Sequence, residues 1–137
     1  MVENVIDEAI IFAVKAHSGS TRKSNKTPYI FHPLEAAHIV ATMTEDAEVI
    51  AAAVLHDVVE DTVYTLEDIR RKFGEAVADL VSEETENKMR DTPAEASWVM
   101  RKKKFLDNLC QASVKSKMVT LADKLSNMRV TKRAFDE

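Results

Sequence analysis

The chain has 137 residues, 45% hydrophobic and 31% charged, with a formal net charge of −4, which is the balance of one folded domain with a core of its own and not of a disordered segment. Two glycines and three prolines are too few for the turns of an all-β protein of this length, and the acidic total excludes the broad basic field that a nucleic-acid polymer calls for. One cysteine cannot form an internal disulfide, no apolar run approaches the ~20 residues of a membrane span, and Glu3 and Asp7 interrupt any leader-like stretch, so the expectation is a soluble, cytoplasmic, all-α protein.

Taken in order, Asn4 to His17 place Ile6, Ala9, Ile10, Ala13 and Val14 on one helical face, with Gly19 beyond them as a stop. His17 continues that face and reads as a satisfied core group or a support for a site. Ser18 to Ile30 is a polar loop carrying Arg22, Lys23 and Lys26 and no acid, its exit set by Pro28-Tyr29. His32-Pro33 opens a second helix to about Thr42, proline being favoured in a first turn. Leu34, Ala37 and Ala41 are its expected buried side with His38 packed beside them, while His32 at the entrance is freer to point elsewhere.

Thr44-Glu45-Asp46 supplies a cap for a central helix from about Ala47 to Glu60. Val49, Ile50, Ala53, Val54, Leu55 and Val58 wrap most of its circumference, the mark of a helix surrounded by others. Thr65-Leu66-Glu67-Asp68 resembles a capping box opening a short helix through Leu66, Ile69 and Phe73, stopped by Gly74. A helix from Glu75 to about Asn87 turns Val77, Leu80 and Val81 inward. Thr92-Pro93-Ala94-Glu95 starts the next, running to about Ala112 with Trp98, Phe105, Leu109 and Ala112 in one stripe. Arg101 to Lys104 are four adjacent basic residues, with Lys102 lying on that stripe. The last helix, about Val114 to Lys132, has Met118, Leu121, Ala122, Leu125 and Met128 as its expected core side; Asp123 and Asn127 stack four apart, with Thr120 close to the same line. No repeat, low-complexity segment or linker divides the chain.

The end of the central helix carries the chemistry. With His56 as origin and about 100° per residue, Asp57 lies near ~100°, Glu60 near ~40° and Asp61 near ~140°, so four polar groups share one sector of an interior helix. Burying them together is costly without a compensating cation. His32, His56, Asp57 and Asp123, from three separate elements, form a mixed nitrogen and oxygen donor set suited to Mn²⁺, Fe²⁺, Co²⁺ or Zn²⁺. Glu60 and Asp61, one turn on, are placed to act as general base or to hold water. The basic loop and the basic helix would balance an anionic substrate, which points to metal-assisted hydrolysis of a phosphoester or pyrophosphate.

His32, then His56-Asp57, then Asp123 resembles the ligand order of the HD phosphohydrolase superfamily. Within it, His56-Asp57-Val58-Val59-Glu60-Asp61 looks like the HDxxED signature of RelA/SpoT-type alarmone hydrolases. Ala16-His17-Ser18-Gly19 with Arg22-Lys23, Pro28 to Leu34, Thr85 to Lys88, Trp98 to Lys104, and Leu121 to Arg129 are similar to the same family, so the resemblance spans about residues 5 to 130. It implies a single compact HD-domain helical bundle over residues 1–137, of the stand-alone small alarmone hydrolase type. The implied reaction is removal of the 3′-pyrophosphate of guanosine 3′,5′-bispyrophosphate (ppGpp) or its pentaphosphate relative, leaving GDP or GTP and pyrophosphate, with Mn²⁺ as the metal. By position, His32, His56, Asp57 and Asp123 would hold the metal and Glu60 and Asp61 would serve the attacking water. Arg22 and Lys23 would lie along guanine, Asn127 would meet ribose or phosphate, and Lys102 and Lys103 would meet phosphate. Two departures stand out: the family pattern implies a further helix after Glu137, and Val130 stands where long members carry a threonine. The alternatives are an HD hydrolase of another nucleotide, such as a nucleoside monophosphate or the 2′-phosphate of NADPH, and a non-catalytic ppGpp-binding module; the expected partner is a small nucleotide, and a homo-oligomer is compatible with the sequence.

Overall fold

A helix with apolar residues on every side has to be enclosed on every side, and the third helix of this protein is. The computed structural model describes residues 4–22, 26–86 and 94–136. The helices in chain order are α1 (Val5–Ala16), α2 (Phe31–Ala41), α3 (Ala47–Leu55), α4 (Val58–Asp61), α5 (Leu66–Phe73), α6 (Glu75–Glu86), α7 (Ala94–Gln111) and α8 (Val114–Asp136). Among the described residues there is no strand, only an isolated bridge between Thr21 and Pro28 that pinches the basic loop. The architecture is an all-α bundle. Every α3 residue from Val49 to Leu55 is buried, and α3 packs against α1, α2, α6 and α8. Ala51, Ala52 and Ala53 let those neighbours approach closely, while Leu55, Val54 and Val49 fill the space between them.

The local signals are realised as backbone chemistry. Asn4 accepts from the Ile6 amide at 2.9 Å and Asp46 from the Glu48 amide at 3.0 Å, capping α1 and α3. Thr65 and Asp68 exchange both bonds of a capping box at the start of α5. Gly74 ends α5 at φ 94°, a left-handed conformation that favours glycine. Phe12, Tyr64 and Phe73 form an aromatic group beneath α1 and α5, with ring centroids 4.7 and 5.5 Å apart.

Four expectations are corrected. The central helix does not run unbroken to Glu60: it ends at Leu55, His56 and Asp57 form the turn, and the one-turn α4 follows. Both junction residues keep right-handed dihedrals (φ −59° and −101°), so the chain bends without leaving helical space and turns both side chains inward. In α2 the buried face is His32, Pro33, Ala36, Ala37, Ile39 and Val40, so Ala41 and His38 are exposed instead of packed. In α8 the inward face is Ser116, Val119, Thr120, Ala122, Asp123 and Ser126, whereas Leu121, Leu125 and Met128 are 57%, 36% and 66% exposed. The two faces have the same helical period and lie roughly 140–200° apart; the small and polar one turns inward because α2 and α3 press against it there. Finally, α8 continues past Lys132 to Asp136. The Thr92-Pro93 start of α7 and the side chains of Trp98, Phe105 and Leu109 lie outside the described residues.

Candidate active site

Three elements converge behind the basic loop. The first turn of α2 carries His32, the α3–α4 turn carries His56 and Asp57, and the middle of α8 carries Asp123; all four are buried, none more than 6% exposed. His32 Nε2 lies 2.9 Å from Asp123 Oδ1 and 3.4 Å from Asp57 Oδ2, and His56 Nε2 lies 3.1 and 3.0 Å from the same two oxygens. One ligand atom from each residue falls within 4.8 Å of all the others. Neighbouring donors around a divalent transition metal at ~2.1 Å are separated by roughly 3 Å, so these spacings suit one shared ion.

The outer partners of the histidines agree with that reading. His56 Nδ1 sits 2.6 Å from the Ala53 carbonyl oxygen, which can only accept, so Nδ1 carries a proton and Nε2 is the nitrogen left to face the cluster. His32 Nδ1 lies 2.9 Å from Ser126 Oγ, which orients its ring with Nε2 toward the cluster. Charge follows from the same contacts. Burial opposes protonation of His56, but the Asp57 charge and hydrogen bonds to Asp123 and Asp57 outweigh it and raise its pKa well above 6.5. In His32 burial is again opposed and overcome by hydrogen bonds to Asp123 and Asp57. Burial would push Asp123 up, yet hydrogen bonds from His32 and His56 hold its carboxyl well below the usual carboxylate range. Without metal, protons on the imidazoles therefore stand where a cation would, and the donor set fits a divalent metal.

Around this centre Glu60 is half-buried and Asp61 is exposed, one turn beyond Asp57 and within reach of solvent. Arg22 and Asn127, expected to bind nucleotide, are brought together although 105 residues apart: Arg22 Nη2 donates to Asn127 Oδ1 at 3.0 Å, and Asn127 Nδ2 to Asp123 Oδ1 at 3.4 Å. Lys23 lies outside the described residues. Lys102 and Lys103 are exposed on α7, outside the buried cluster.

Three residues of the site region have a place that the linear pattern did not assign, and a fourth, His17, has the place it did. Tyr29 donates from its hydroxyl to Asp57 Oδ2 at 2.6 Å. Ser126 orients His32, and its spacing of three from Asp123 was the signal for it. Glu84 is buried at 8% exposure and accepts from the Thr120 hydroxyl, tying α6 to α8 one turn before Asp123. Its position three residues after Val81, on the α6 core face, pointed inward; burial raises its pKa. His17 is buried as expected, and its Nε2 has no hydrogen-bond partner among the described residues; burial, chiefly, lowers its pKa.

A helical bundle that buries two imidazoles and two carboxylates, with further carboxylates and an arginine at the rim, has the makings of a metal-dependent hydrolase. A family model described as HD domain matches residues 9–137. The chain is 40% identical over 136 residues to guanosine-3′,5′-bis(diphosphate) 3′-pyrophosphohydrolase MESH1 of Xenopus tropicalis, covering 97% of this chain and 73% of that protein. It is 37% identical over 123 residues to the bifunctional (p)ppGpp synthase/hydrolase SpoT of Escherichia coli, covering 89% of this chain but only 17% of that longer protein. A solved structure of a metazoan ortholog of SpoT that hydrolyses ppGpp and plays a role in starvation responses matches with a TM-score of 0.79 at 32% identity, over 94% of this chain and 71% of the other. The chain belongs to the HD-domain family.

Proposed function

We propose that the protein removes the 3′-pyrophosphate of ppGpp or pppGpp, giving GDP or GTP and pyrophosphate. The observation that carries this is the buried His32, His56, Asp57 and Asp123 cluster with Arg22 and Asn127 joined at its edge, in a chain 40% identical to a ppGpp hydrolase over nearly its whole length. The four cluster residues would hold the metal, Mn²⁺ being the ion expected. When bound, the metal supplies Lewis-acid polarisation of the phosphoryl group and a lowered pKa for water. Glu60 accepts a proton from the attacking water and Asp61 holds that water in place. The ribose 3′ oxygen–phosphorus bond breaks, the water oxygen stays with the released pyrophosphate, and the ribose oxygen leaves protonated. Arg22 and Lys23 lie along the base, Asn127 meets the ribose or a phosphate, and Lys102 and Lys103 reach for phosphate from α7. The substrate is a free nucleotide and not a nucleic-acid polymer, the compartment is the cytoplasm, and residues 1–137 act as one hydrolase domain.

Pyrophosphate release from ppGpp in Mn²⁺, beside phosphate release from NADPH, tests the reading. Asp57→Ala is expected to lose both metal and turnover. Glu60→Ala is expected to keep the metal and lose turnover by roughly 10²- to 10⁴-fold. A metal-loaded protein that binds ppGpp and leaves it intact would instead be a binding module, and turnover of NADPH alone would make it a phosphatase of another nucleotide.

A further inference from the structure

Tyr29 stands at the meeting point of the nucleotide loop, the metal cluster and the acidic turn. Its backbone is held on both sides: its amide donates to the Ser20 carbonyl at 2.9 Å, and its carbonyl accepts from the His32 amide at 3.0 Å. The loop between is closed by the Arg22 amide on the Thr27 carbonyl at 3.0 Å and by the Thr21–Pro28 bridge. The ring is thus fixed relative to both Arg22 and His32. It packs against the His17 ring at 5.0 Å and the His32 ring at 5.8 Å, and the Arg22 guanidinium carbon lies 5.9 Å from its centroid. Its hydroxyl donates to Asp57 Oδ2 at 2.6 Å, the oxygen that faces both His32 and His56, and interacts with the Asp61 carboxylate as well. A carboxylate that faces a metal has rotational freedom that an outer donor removes, and loss of such a donor typically costs roughly 10- to 100-fold in metal affinity.

We propose that Tyr29 is a positioning residue that couples the nucleotide loop to the metal centre, its hydroxyl orienting Asp57 as a ligand and its ring supporting Arg22. The proposal rests on the hydrolase reading for the nucleotide but not for the metal. Tyr29→Phe keeps the ring and removes only the hydroxyl. Metal titration of the nucleotide-free protein with Mn²⁺ is expected to show affinity weakened by roughly 10- to 100-fold, with KM for ppGpp little changed. Tyr29→Leu removes the ring too and is expected to raise KM in addition, because Arg22 loses the face it rests on. Thermal melting with and without Mn²⁺ separates this from a folding role: the loss should appear in the increment that Mn²⁺ adds. Wild-type metal affinity in Tyr29→Phe overturns the proposal. So does an equal fall in melting temperature with and without Mn²⁺, or an unchanged KM in Tyr29→Leu. If wild type binds Mn²⁺ but does not turn over ppGpp, the hydrolase reading fails while the metal result still decides whether Tyr29 orients Asp57.

Discussion

Lowering the pH should weaken metal binding steeply, because the metal and protons compete for the same atoms. His32 and His56 carry pKa values raised above 6.5 by Asp57 and Asp123, with His56 raised the more strongly. Each must surrender a proton from Nε2 before it can donate to a cation. The two are coupled, with ring centroids 5.2 Å apart, and so titrate as a pair. Displacing one proton costs about 1.4 kcal/mol per pH unit and displacing two costs about 2.7 kcal/mol, so a fall of one unit near neutrality should raise the Mn²⁺ Kd by roughly 10- to 100-fold. Calorimetric titration in buffers of different ionisation enthalpy counts the protons released, and between one and two are expected. An affinity that does not change with pH across that interval, with no proton release, would refute the charge assignment of the cluster.

The same protonation acts on the metal-free fold. His32 and His56 bind protons more tightly folded than unfolded, so the stability they contribute is fully present below about pH 6.5 and is lost as pH rises through their raised values; urea unfolding in a chelator against pH would show it. His17 works in the opposite sense, because burial lowers its pKa and the fold loses stability as pH drops below about 6.5. His17→Leu should abolish that acid-side loss and, by removing a nitrogen with no partner among the described residues, leave stability at neutral pH unchanged or up to about 1 kcal/mol higher; a loss of about 2 kcal/mol or more by chemical denaturation would mean the nitrogen is satisfied. Leu55→Ala opens a cavity at a fully buried position on the central helix and should cost about 2–5 kcal/mol in the same assay, with a cost below about 1 kcal/mol counting against α3 as the centre of the core.

Much of the fold follows from interactions within one or two helical turns. Asp46 and Thr65 cap helices where the sequence placed caps, Asn4 does the same for α1, and Gly74 stops α5 where no other residue type would do so without strain. The helix order and the enclosure of α3 follow from apolar period and from its being apolar on every side. The residue types that meet in the cluster were legible too, since His32, His56, Asp57 and Asp123 stand out in the sequence as two imidazoles and two carboxylates that could share a cation.

What periodicity leaves open is direction. α8 has two stripes of equal period, and the apolar one, Leu121, Leu125 and Met128, faces outward because Asp123 and Ser126 are held inward by His32 and His56. The break at His56-Asp57 is likewise decided by what the two side chains meet across the bundle, not by a helix-breaking residue. By itself, then, the sequence determined most of the helices, several of their caps and the side-chain chemistry available to the site, because those depend on residue type and on neighbours a few residues apart. Only the tertiary structure decided that Tyr29 reaches Asp57 across 28 residues, Ser126 reaches His32 across 94 and Arg22 reaches Asn127 across 105. Those contacts exist only once the helices have packed: local spacing can put Ser126 on the face of Asp123, but it does not name the partner across the bundle.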